Sequence, residues 1–146
     1  MEKIILTGGG TAGHITPNIA LLPFLKEFEI HYVGQPDSME QELIGKESGV
    51  IFHPLESVKL VRSASLGNLA VPFKLLKAKS EAKKLLSEIK PKVIFSKGGY
   101  VALPVMLAAK GIPLILHESD LSMGLANKLV VKKCRFACTS FASTAE

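Results

Sequence analysis

With 146 residues, 47% of them hydrophobic and 21% charged, the chain has the size and composition of one soluble globular domain and not of a disordered segment. It holds no run of 18 or more apolar residues, and no basic region precedes its first apolar run, so neither a spanning segment nor a secretory signal is expected. The net charge of +5, much of it carried over residues 59–92, points to an anionic partner; nucleic acid, an anionic membrane surface and a plain solvated helix face all fit on charge alone.

The chain opens on Ile4-Ile5-Leu6, too short and too β-branched for a helix, which predicts a strand over 3–7 running into the turn Gly8-Gly9-Gly10-Thr11-Ala12-Gly13-His14. A helix over 14–26 follows, carried by Ile15, Ile19, Leu22 and Leu25, with Pro17 tolerated in the first turn, where a missing N–H has no partner. Further strands are predicted over 29–33, 51–54, 92–96, 113–117 and 134–139, and helices over 38–47, 73–89, 101–110 and 123–132, each strand flanked by Gly or Pro. Residues 57–72 fit neither period and read as a long loop with a short helical turn. Alternation of strand and helix throughout predicts an α/β fold, a Rossmann-like parallel sheet with helices on both faces. The chain ends just after its sixth strand with no covering helix, and a ligand crevice at the carboxyl ends of such a sheet is one that a second domain would complete. Cys134 and Cys138 share one face of the last predicted strand, too far apart to bridge and without further ligands, and read as small reduced core residues.

Three motifs carry chemistry. Gly8, Gly10 and Gly13 match G-x-G-x-x-G between a strand and a helix, and free N–H groups at such a turn attract an anion. The dinucleotide form of that motif wants an acid at the end of the second strand, where this chain has Val33-Gly34-Gln35-Pro36 before Asp37, and His14 would crowd a pyrophosphate. The second motif, Ser96-Lys97-Gly98-Gly99-Tyr100, places another glycine turn at the same sheet edge, so both can converge on one phosphate-bearing ligand. The third is His117-Glu118-Ser119-Asp120 with Gly124-Leu125-Ala126-Asn127-Lys128. Here Glu118 is a candidate general base or sugar-hydroxyl acceptor, Asn127 a ligand contact or a solvent-facing side chain, and His117 either functional or satisfied by backbone. His31 and His53, in or beside apolar strands, read as structural. Leu66, Leu69, Val71, Phe73, Leu75 and Leu76 interleave with Lys74, Lys77, Lys79, Lys83 and Lys84, which suits either a surface lying on anionic lipid or an amphipathic helix whose apolar stripe joins the core.

Together these motifs, in this order and spacing, resemble the MurG family, glycosyltransferase family 28, along nearly the whole chain. The family transfers N-acetylglucosamine from UDP-N-acetylglucosamine to undecaprenyl-diphospho-muramoyl-pentapeptide, converting lipid I to lipid II in peptidoglycan synthesis. The resemblance implies the N-terminal, acceptor-binding half of a two-domain GT-B enzyme, inactive alone, with the donor-binding domain outside this chain. It implies His14 as the base in an inverting transfer with Glu118 in support, and substrate contacts from Gly10, Thr11, Ala12, Gly13, Gly98, Gly99, Tyr100, Asp120 and Asn127. It also implies a membrane-docking patch at Leu66, Leu69, Phe73, Leu76, Lys74 and Lys77, and a peripheral position on the cytoplasmic face of the bacterial membrane. No metal, cofactor or nucleic acid is implied. Two positions depart from the family pattern: Asp120 stands where many members carry Asn, and Ala12 replaces the middle glycine of the first loop, so a positive φ there would be strained. The readings set against this one are the nucleotide-binding domain of an NAD(P)-dependent dehydrogenase and a non-catalytic anion-binding module.

Overall fold

The computed structural model describes residues 1–59 and 69–145. Six strands form one sheet: β1 (Lys3–Thr7), β2 (Glu29–Gly34), β3 (Val50–Pro54), β4 (Val93–Ser96), β5 (Leu114–Glu118) and β6 (Phe136–Thr139). Every pairing is parallel and the order across the sheet is β3-β2-β1-β4-β5-β6. Crossover helices α1 (Ala12–Leu21), α2 (Met39–Ile44), α3 (Val71–Ile89), α4 (Leu103–Ala108) and α5 (Leu125–Val130) connect them. The expected doubly covered parallel sheet is the fold observed.

Period-two alternation sends each strand's apolar residues to both faces, which builds two cores. Ile4, Leu6, Ile30 and Tyr32 pack with Ile15 and Ile44 on the face covered by α1 and α2. Ile5, Val33, Ile94, Leu114 and Leu116 pack with Ala82, Leu86, Leu103 and Val105 on the face covered by α3 and α4. The first face runs out of helix toward β6: the row Leu6, Phe95, Ile115, Phe136 passes from 1% exposed at Leu6 to 59% at Phe136.

The structure differs from the sequence expectations at several places. The first helix begins at Ala12, so Pro17 lies inside it and the Gly13 carbonyl loses its helical donor; the helix then tightens into a 3-10 turn at Leu22–Phe24 around Pro23. Ala12 is a helical residue and not one of the positive-φ positions, which removes the strain expected there. Cys134 ends a 3-10 turn before the last strand, and Cys138 lies exposed on the uncovered end of the sheet, so the pair shares neither a strand nor a place in the core. Most of the predicted long loop, with Leu66, lies outside the described residues.

Candidate active site

In the observed strand order β1, β4 and β5 are adjacent, so the three motifs, each leaving the carboxyl end of one of these strands, are spatial neighbours. Buried polar bonds fix where the first turn starts. The Thr7 hydroxyl donates to the Val33 carbonyl at 2.8 Å, the Asn18 amide to the Thr7 carbonyl at 3.2 Å, and the Tyr32 hydroxyl to the Gly8 carbonyl at 2.6 Å. The second turn then closes on the first: at Gly99, φ is +82 and a Cβ would stand 2.8 Å from the Gly9 carbonyl oxygen and 3.1 Å from the His14 ring, so only glycine fits.

His14 is half-buried beside this contact. Its Nδ1 lies 3.1 Å from the Gly9 carbonyl oxygen and 3.1 Å from the Thr11 hydroxyl oxygen. A carbonyl oxygen only accepts, so in the neutral ring the contact assigns the proton to Nδ1 and the lone pair to Nε2. That is the tautomer a general base requires.

Glu118, 4% exposed, spends both carboxylate oxygens. Oε1 accepts the Asp120 N–H at 3.1 Å; Oε2 accepts the Gly124 N–H at 3.0 Å and the Asn127 side-chain amide at 2.9 Å. Burial pushes its pKa up, but the donors from Gly124, Asp120 and Asn127 and the neighbouring His14 outweigh it, and the carboxyl titrates below the usual range. The arrangement makes Glu118 a fixed anion that anchors the loop into α5 and faces His14. A carboxylate so fully engaged is poorly placed to take a proton itself.

A cleft of about 240 Å³ is lined by His14, Gly99, Tyr100, Glu118, Asp120 and Asn127, all expected at the site, together with Lys59, Gly124, Leu125 and Ala126. Gly10, Thr11, Ala12 and Gly13 lie exposed where α1 begins, and Gly98 packs beneath Asn127; none of these five lines the cleft. Lys59 belongs to the basic stretch already visible in the sequence but was not expected here. Among the described residues the buried Asn127 side-chain oxygen, packed against Gly98, has no hydrogen-bond partner.

His117 is satisfied by side chains and not by backbone. The Lys97 ammonium donates to its Nδ1 at 2.6 Å, and Nε2 faces the Ser140 hydroxyl at 3.4 Å. Lys97 is 1% exposed, and burial pulls its pKa down against the opposing pull of Glu118 and Asp120. No acid stands at the end of β2: Asp37 lies beyond Pro36 and binds Gln41 through its own N–H, and Gln35 caps the strand and accepts the Ser57 N–H at 2.7 Å. The ribose contact of a dinucleotide site is therefore missing.

On α3 the core stripe is Ala78, Ala82, Leu86 and Ile89, with Leu75 packed beside it. Leu69, Phe73 and Leu76 are 71%, 74% and 61% exposed, next to exposed Lys74 and Lys77, so these apolar residues do not join the core.

Among the described residues no helix is long and apolar enough to cross a membrane, and no group of His, Cys, Asp or Glu side chains is arranged to hold a metal ion.

Curated relatives named as UDP-N-acetylglucosamine–N-acetylmuramyl-(pentapeptide) pyrophosphoryl-undecaprenol N-acetylglucosamine transferase share 53% identity (Lachnoclostridium phytofermentans, 99% of this chain) and 50% identity (Clostridium tetani, 98% of this chain). The chain spans 41% of the length of each. The crystal structure of Acinetobacter baumannii MurG superposes with a TM-score of 0.85 at 26% identity, over 99% of this chain and 42% of that one. A Streptomyces glycosyltransferase, SsfS6, shares the fold at a TM-score of 0.58 and 18% identity, over 89% of this chain and 43% of that one. The family described as Glycosyltransferase family 28 N-terminal domain matches residues 4–139, and the chain belongs to that family.

Proposed function

We propose that this chain is the acceptor- and membrane-binding part of an inverting glycosyltransferase that moves N-acetylglucosamine from UDP-N-acetylglucosamine to the lipid I muramoyl acceptor, forming lipid II. The observation that carries the reading is the 3.1 Å contact of His14 Nδ1 with the Gly9 carbonyl, which assigns the lone pair of the neutral ring to Nε2, in a cleft whose carboxylate is already committed. His14 Nε2 takes the acceptor hydroxyl proton while that oxygen bonds to the anomeric carbon. The bond from the anomeric carbon to the diphosphate oxygen breaks on the opposite face, and its electron pair leaves with UDP. Glu118 stabilises the imidazolium so formed. The exposed start of α1, at Thr11, Ala12 and Gly13, offers N–H groups to a diphosphate passing over the cleft mouth. Gly10 and Gly98 act one step back, by shaping the two turns.

The membrane part of the reading rests on α3. Lys79 and Lys83, about one and two turns beyond the exposed Leu76 on α3, join Lys110 and Lys133 around an apolar-floored groove, so one side of the protein presents apolar side chains rimmed by cations. Such a surface suits the anionic cytoplasmic face of a bacterial membrane, where lipid I is presented.

Transfer to a lipid I analogue tests the proposal, measured on a protein that carries this chain together with the further length its relatives have. His14→Ala is expected to lower kcat by about 10²–10⁴-fold with little change in acceptor KM. Unchanged turnover would remove His14 from the chemistry, and absence of transfer by the unsubstituted protein would leave the anion-binding module as the better reading. The 146 residues alone should show no transfer, because donor and acceptor must be held together for reaction.

A further inference from the structure

Glu40 is a carboxylate, 1% exposed, that the cleft does not touch. It lies in the first turn of α2, behind the cap Ser38, and points back under the first glycine turn. Its Oε1 accepts the Gln35 N–H at 3.1 Å, and its Oε2 accepts the Gly10 N–H through a long bond of 3.5 Å. The surrounding backbone is shaped to this side chain: a Cβ on Gly9 would collide with the carboxylate, and one on Gly34 would stand 2.7 Å from its Cγ.

The Gly10 N–H and the Gly9 carbonyl belong to one planar peptide group. One end of that plane donates to Glu40 and the other accepts from His14 Nδ1 at 3.1 Å. Glycine on both sides makes this peptide easy to turn over. Turned over, it would present an N–H to Nδ1, and the imidazole would have to accept there and carry its proton on Nε2. That tautomer has no base to offer the cleft.

We propose that Glu40 is a positioning residue for the transfer reaction, acting through the Gly9–Gly10 peptide to hold His14 in the tautomer with a free Nε2. The carboxylate fixes the sense of the peptide plane, and its charge polarises the amide so that the Gly9 oxygen accepts more strongly. The proposal rests on the reading of His14 as the base.

The test pairs spectroscopy with kinetics. In the chain labelled with ¹⁵N-histidine, two-bond ¹H–¹⁵N correlations above the imidazole titration read which nitrogen of His14 is protonated, and the same spectrum reports folding. Glu40→Gln keeps the shape but leaves one of the two N–H groups facing an amide NH₂. It should move His14 from the Nδ1–H toward the Nε2–H form. In the protein with its further length it should lower kcat by about 10–100-fold, with acceptor KM changed less than about twofold. In a His14→Ala background the same substitution should cost nothing more. Retention of the Nδ1–H form in Glu40→Gln, or an equal loss of kcat with and without His14, would overturn the proposal. Should His14→Ala leave turnover intact, the base assignment fails and the tautomer measurement alone decides whether Glu40 sets the ring. Glu40→Asp, which keeps the charge one methylene short of both N–H groups, answers the same question if the Gln variant does not fold.

Discussion

His14 lies in the first turn of α1, just past the carboxyl end of β1, and His31 lies within β2, the strand paired with β1; each has a carboxylate for a neighbour, yet their ring nitrogens are spent differently. His31, 5% exposed, spends both ring nitrogens: Nε2 donates to Glu29 at 2.8 Å and Nδ1 meets His53 Nε2 at 2.8 Å, with the two rings stacked 5.0 Å apart. His14 spends only Nδ1, and the carboxylate facing it is tied up by three N–H donors elsewhere. The lesson concerns unspent capacity. A side chain whose partners all lie within the fold stabilises it, and one left with a free lone pair at a cleft is available to a substrate.

The widest separation is expected between His14→Ala and His31→Ala in the same full-length background. The first should lose about 10²–10⁴-fold in kcat and little stability. The second should lose about 0.5–3 kcal/mol of stability, because the side chain removed is itself buried in the sheet, with kcat within about twofold, as read by urea unfolding and steady-state transfer. A His31 variant that lost kcat as His14→Ala does would end the distinction.

Glu118→Gln comes next, because glutamine supplies one acceptor oxygen where two are used and turns an NH₂ toward an N–H donor. A loss of about 1–3 kcal/mol is expected, together with reduced kcat. The pH dependence has a fixed sign. The folded pKa of Glu118 is lowered, so the unfolded chain binds more protons, and the carboxylate's contribution is present above about pH 4.5 and fades as pH falls through the folded value. The acid arm of the stability profile should therefore be shallower in Glu118→Gln; an unaltered slope would mean that the three donors do not hold the anion.

A smaller effect of the same sign belongs to His53. Burial, then the charge of His31, holds its pKa below 6.5 in the folded state. The unfolded chain takes up that proton first on acidification, so stability should decline as pH drops below about 6.5. His53→Phe should flatten this decline, and a wild-type profile level between pH 7 and 5 would count against it.

Much of this was legible in the chain because parallel strands buried on both faces read as short apolar runs between breakers, and Ile4-Ile5-Leu6 and its counterparts are such runs. Convergence of the two glycine turns and Glu118 followed from topology, since each leaves the carboxyl end of a strand. The tertiary partners were not legible. Nothing local marks Glu40 as the side chain around which Gly9 and Gly34 are shaped, since the three meet only when α2 packs against the β1 turn. Lys97 gave no sign that it would be buried on His117. Helix ends were misplaced where Pro17 and Pro23 have their N–H groups removed from the ladder, a loss that packing of Ile15 and Ile19 on the sheet outweighs. Cys138 was misjudged because its strand is apolar enough for a core while the face it occupies has no covering helix.

The same distinction between spent and unspent groups divides α3. Ala82 and Leu86 are buried against α4 and the sheet, whereas Phe73 and Leu76 are covered by nothing in the described structure. Replacing both Phe73 and Leu76 by Ser should change stability by no more than about 0.5 kcal/mol each, as for exposed positions generally. Binding to vesicles of anionic phospholipid should nevertheless fall, because the apolar contribution at the interface is removed. Lys74→Gln and Lys77→Gln should each weaken that binding by about fivefold, which corresponds to about 1 kcal/mol per cation at an anionic surface. The lysine effects should shrink as salt rises, since exposed charges are screened within a Debye length, while the Phe73 and Leu76 effects persist. Equal partition onto neutral and anionic vesicles would strip the lysines of this role and leave only the apolar pair; unchanged binding after loss of Phe73 and Leu76 would place the membrane contact elsewhere on the molecule.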